Sequence, residues 1–72
     1  MELRIELERE NDGRWIAEVI DLPGVMAYGP TREVALSAVK ALALRVIADQ
    51  IEHGDVLSDL AGVTFLAGRG SD

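Results

Sequence analysis

Two pairs of chain breakers stand close together in the stretch DLPGVMAYGPTREVAL, residues 21–36: Pro23-Gly24 and Gly29-Pro30. Proline lacks a backbone N–H and glycine suits turns, so regular structure stops at each pair. Only Val25 to Tyr28 lies between them. So short a segment suits a strand and not a helix. In Leu22-Pro23-Gly24-Val25, proline at the first central position and glycine at the second is the preferred filling of a type II turn. The chain must therefore reverse at 22–25, run a short third strand and turn again.

The second breaker pair leads directly into a helix. Thr31 is the expected N-cap, and Glu33 places a negative charge in the first turn, where it suits the helix dipole. The capping box is incomplete, because the residue three after Thr31 is Val34. The spacing predicts a helix from about Arg32 to about Glu52, with an apolar stripe of Ala35, Val39, Leu42 and Val46 flanked by Leu36 and Ala43. His53-Gly54 closes it as a helix C-terminus normally closes.

On the other side of the corner, residues 2–9 alternate. Leu3, Ile5 and Leu7 point one way, and Glu2, Arg4, Glu6 and Glu8 the other, as in a half-buried strand. Asn11-Asp12-Gly13 is turn chemistry, and RWIAEVID after it reads as a second strand. Trp15, Ala17 and Val19 share its inward face, opposite Ile16, Glu18 and Ile20. Trp15 is thus expected in the core and not at a binding site. Beyond the helix, DVLSDLAG reads as a loop, either plain or with a single helical turn, VTFLA (63–67) as a fourth strand, and GRGSD as a frayed tail. The expected fold is α+β, a small antiparallel sheet with one long helix packed on it. Its order is β-β-β-α-β, in a single domain spanning 1–72.

Size adds a constraint. A chain of 72 residues buries only about 60% of the surface it exposes when unfolded, and no cysteine is present to staple it. Glu33, Ser37 and Lys40 mark the solvent face of the helix, yet the same face continues into Leu44, Ala48 and Ile51, with Ile47 beside them. Those four residues are the expected interface of a homodimer or higher oligomer.

The charge balance, 13 acidic residues against 7 basic, gives −6 and argues against direct nucleic-acid binding, which relies on lysine and arginine. No apolar run approaches the ~20 residues of a membrane span, and the charged start is not a signal peptide, so a cytoplasmic, membrane-free location is expected. An acidic surface suits a basic protein partner.

Catalytic and metal chemistry find no support. There is no cysteine nucleophile, and the single histidine, His53, stands where a helix cap belongs. Glu8, Glu10, Asp12 and Gly13 imitate the first half of a calcium loop, but its twelfth position falls on Val19 where Glu is required. Gly68-Arg69-Gly70 is too short and too terminal to cradle a phosphate. No enzyme activity, cofactor or metal is expected.

RWIAEVIDLPG, the short strand after it, and the helix opening TREVALSAVKALALRVI together resemble the HicB-like antitoxins of bacterial toxin–antitoxin systems, over residues 2 to about 53. The most specific parts are Asp21-Leu22-Pro23-Gly24, then Gly29, then Thr31, Glu33 and Ala35-Leu36. The resemblance implies a partial ribonuclease H-like fold without nuclease chemistry. A nuclease site of that type needs clustered carboxylates, and the inferred sheet face offers Leu3, Ile5, Trp15 and Val19 instead. The resemblance also implies a partner: a small basic HicA-like toxin that cleaves mRNA and is neutralised on binding. Many members carry a C-terminal DNA-binding domain, whereas no second helix long enough to read a groove follows Gly54, so a short form is expected. Glu2, Glu6, Glu8 and Glu18 on the outer sheet face, with Asp21 at the turn, are the expected partner-binding residues. The alternative is an orphan module that only self-associates.

Overall fold

The computed structural model describes residues 2–54 and 63–67. They form β1 (Glu2–Arg9), β2 (Trp15–Val19), β3 (Met26–Gly29), α1 (Arg32–Glu52) and β4 (Thr64–Ala67), the expected β-β-β-α-β order. The expected loop over 55–62 and tail over 68–72 lie outside the described residues.

The alternation in β1 is realised directly: Leu3, Ile5 and Leu7 are buried, and Glu2, Arg4, Glu6 and Glu8 are exposed. β1 pairs antiparallel with β2, setting Ile5 opposite Val19 and Leu7 opposite Ala17. β2 pairs antiparallel with β3, setting Ala17 opposite Ala27. Between β1 and β2 the hairpin closes through Gly13, whose φ of +90° a side chain would resist. The Leu22–Val25 turn has the hydrogen bond and the positive φ of a type II turn: the Val25 N–H donates to the Leu22 carbonyl at 3.2 Å, and Gly24 has φ +80°.

The antiparallel arrangement holds for three strands, and the fourth joins in the other sense. β4 runs parallel to β1, with Leu3 opposite Phe65, so the four-stranded sheet is mixed, in the order β3-β2-β1-β4. Parallel neighbours need a long crossover, and α1 carries the chain back over the sheet to supply it.

α1 has the predicted limits. The Thr31 hydroxyl accepts a hydrogen bond from the Val34 N–H at 3.1 Å. At the other end the His53 and Gly54 N–H groups donate to the carbonyls of Asp49 and Ile51, each at 3.0 Å. The helix packs chiefly on β3 and β2. Its buried residues are Ala35, Val39, Ala43 and Ile47, one ridge at a spacing of four. Leu42 and Val46, expected in the central stripe, lie half-buried at its margin.

Ile47 corrects the expected oligomer interface: it is 4% exposed and belongs to the core with Leu3, Ile5, Val19 and Val39. The helix docks along the 35–39–43–47 ridge, which turns Ile47 onto the sheet. The small side chains at Ala35 and Ala43 let the backbones come close. At the start of the helix a Cβ on Gly29 would lie 2.6 Å from the Ala35 nitrogen and 2.9 Å from the Val34 Cγ1. Glycine is needed there for room, not for an unusual φ. No described helix is long and apolar enough to cross a membrane.

Candidate protein-interaction face

The sheet face away from α1 is built by the strand register. Glu6, Glu18 and Met26 are neighbours across β1, β2 and β3, and Glu8, Ile16 and Tyr28 form the next row. Toward the other edge, Arg4 stands opposite Leu66 and Glu2 opposite Thr64. Glu2, Glu6, Glu8 and Glu18 are all exposed on this face, as the alternation predicts.

Two carboxylates directly opposite each other on one face destabilise a sheet, and Glu6 and Glu18 are such a pair. Among the described residues neither forms a salt bridge. The acid does not stand alone. Met26 and Tyr28 are each nearly half exposed, and Ile20 and Leu66 are similar, so the face mixes apolar and acidic groups. Met26 and Tyr28 were absent from the residues expected at a partner site. Their signal is their place two apart on a strand whose intervening Ala27 turns inward.

Asp21 differs from the four glutamates. Its Oδ2 accepts the Arg4 backbone N–H at 2.7 Å, and its Oδ1 accepts from the Arg4 Nη2 at 2.9 Å. The Ile20 N–H donates to the Arg4 carbonyl at 2.9 Å. The carboxylate therefore takes the place of the next acceptor in the β1–β2 ladder, just where β2 turns away. The hydrogen bond from the Arg4 side chain, followed by that from its backbone N–H, holds the Asp21 carboxyl below the usual carboxylate range. Arg4 also stands between Glu2 and Glu6, so the acidic row on β1 is interrupted by a cation.

The other singled-out residues have structural roles. Asp12 accepts from the Arg14 N–H at 3.0 Å and from its Nε at 2.8 Å, within the hairpin turn. The Arg14 guanidinium also lies over the Tyr28 ring, 4.8 Å from its centroid. The His53 Nδ1 donates to the Asp49 carbonyl at 2.7 Å, capping the helix end. Of the expected oligomer interface, Leu44, Ala48 and Ile51 are exposed on α1.

Searches of protein-family models, curated proteins and solved structures found no match to this chain.

Proposed function

We propose that this chain is a HicB-like antitoxin module that binds a small basic mRNA-cleaving toxin in the cytoplasm and neutralises it without catalysis. The observation that carries this is the Glu6–Glu18 pair. An opposed pair of carboxylates costs the isolated sheet stability, and a cationic partner reverses that sign. Met26, Tyr28 and Ile16 beside the pair supply the apolar contact area that an interface core needs. A row of carboxylates presents to an RNA-binding protein the charge it would meet on a phosphate backbone.

The test begins with co-purification from the native host and identification of any small basic ribonuclease that the chain inhibits. The association rate of that protein is then measured across a salt series. Steering by this face makes binding fast at low salt and slower as salt screens it. Glu6→Lys together with Glu18→Lys should slow association about tenfold or more at low salt. An on-rate indifferent to both salt and charge reversal removes this face from the mechanism. Co-purification that returns only the chain itself favours the orphan, self-associating module, for which the exposed apolar groups Met26, Tyr28, Leu44 and Ile51 speak.

A further inference from the structure

We infer that β3 is a docking edge for a second copy of this chain, joined as an antiparallel β3–β3 pair about a two-fold axis through Ala27. The edge shares Met26 and Tyr28 with the face that carries the Glu6–Glu18 pair, but the pair itself takes no part in the β3–β3 contact, and the inference does not depend on a toxin.

The backbone states the requirement. The Val19 N–H donates to the Val25 carbonyl at 3.0 Å, and antiparallel ladders alternate, so Val25, Ala27 and Gly29 aim their peptide groups at β2. Met26 and Tyr28 aim theirs outward, at the edge of the sheet. Proteins usually guard such an edge with lysine, proline or a bulge. Only its four-residue length guards MAYG, which has neither lysine nor proline, and both of its outward residues are nearly half exposed.

Register selects a copy of the same strand. Centring the two-fold on Ala27 sets Met26 of each copy opposite Tyr28 of the other, and all the outward N–H and C=O groups of both are satisfied. Centring it on Met26 would pair Tyr28 with Gly24, which is committed to the turn. Centring it on Tyr28 would pair Met26 with Pro30, which has no N–H to give. In the favoured register the small Ala27 side chains meet on the helix side. On the outer side each Met26 thioether meets a Tyr28 ring, a favourable contact.

The helix completes the match. α1 rides over β3 and β2, and strands repeat at about 4.8 Å. The two-fold therefore sets the two helix axes about 10 Å apart, the spacing of packed helices. The Lys40 Nζ lies 5.7 Å from the centroid of the Phe65 ring on β4, which fixes the flank of α1 facing that edge. At about 100° per residue the opposite flank carries Val34, Ala38, Ala41 and Leu42 in its first half, an uncharged and mostly small surface, and continues into the exposed Arg45 and Asp49. Val34, 47% exposed in the single chain, gains a neighbour in Leu42 of the second copy across Ala38. Leu44 and Ile51 lie on the Lys40 flank, away from this seam.

Sedimentation equilibrium of the full chain at micromolar concentration tests the pairing, with a mass twice 7.8 kDa expected. Met26→Pro deletes an outward N–H in each copy and no bond within the chain. It should raise the dimer dissociation constant about a hundredfold. Ala38→Glu, which leaves the strand untouched, should weaken the dimer in the same direction. Leu44→Glu should leave it intact. In hydrogen exchange the Met26 and Tyr28 amides should be protected in the wild type and lose that protection on dilution. A wild-type monomer at ~100 μM, a dimer that survives both Met26→Pro and Ala38→Glu, or a dimer broken by Leu44→Glu would overturn the proposal. Toxin binding is read in a separate assay with the partner present, so failure of one proposal does not imply failure of the other.

Discussion

The hairpin turn between β1 and β2 and the corner between β2 and α1 are each tied by an aspartate to an arginine, but the ties span very different stretches of chain. In the hairpin, Asp12 holds Arg14, two residues on. In the corner, Asp21 holds Arg4, 17 residues back, and joins the end of β2 to the middle of β1. The glycines repeat the contrast. Gly13 has an unusual φ and nothing within 4 Å of the place a Cβ would take, whereas Gly29 has an ordinary φ and the helix backbone against it. A local turn is defined by its own torsions. The corner is a joint of three elements and is defined by what it touches.

Substitutions at these four positions put that difference to the test. Gly29→Ala should be the most damaging, at about 3 kcal/mol, because the added methyl meets backbone that cannot step aside without shifting α1. Urea denaturation followed by circular dichroism measures it. A loss no larger than that of the hairpin glycine would erase the contrast. Gly13→Ala should cost about 1 kcal/mol, the penalty of a left-handed backbone with a Cβ and no steric conflict beyond it.

Smaller again are the two aspartate ties, both at the solvent surface. Asp21→Asn should lower the denaturation midpoint more than Asp12→Asn, because Asp21 also completes the β1–β2 ladder. Their pH dependence has a definite sign. Hydrogen bonds, from the Arg4 side chain at Asp21 and from the Arg14 backbone at Asp12, hold both carboxyls below the usual range when folded. Their stabilisation is fully present above the unfolded value, about 4, and fades as pH falls through the lower folded values. Each Asn variant should therefore show a shallower acid limb in a pH series of denaturation midpoints, with the larger flattening for Asp21. Equal flattening would mean that the long-range tie contributes no more than the local one.

Much of the fold is legible along the chain because its elements are set by neighbours. Leu3, Ile5 and Leu7 announce β1, Pro23-Gly24 and Gly29-Pro30 bound β3, and Thr31 and His53-Gly54 bound α1. The acidic outer face is equally legible, since period two is all that places Glu2, Glu6, Glu8 and Glu18 together. The Arg4–Asp21 tie is not, because nothing local to either residue reports a contact across 17 positions. Nor is the direct opposition of Glu6 and Glu18, which depends on pairing register and not on alternation alone.

Strand and helix identity here follow from torsional preference and apolar period, which act over a few residues and so are written in the order of the amino acids. The rotation of α1 does not follow in that way. The second half of the helix is apolar on more than one side, so either Ile47 or Leu44 could have faced the sheet, and docking along the alanine-lined ridge turned Ile47 inward and left Leu44 exposed. The parallel placement of β4 beside β1, like the close approach that forbids a side chain at Gly29, likewise arises only when separate elements compete to cover the same apolar surface. That competition has no local period to betray it, and the tertiary structure alone decides it.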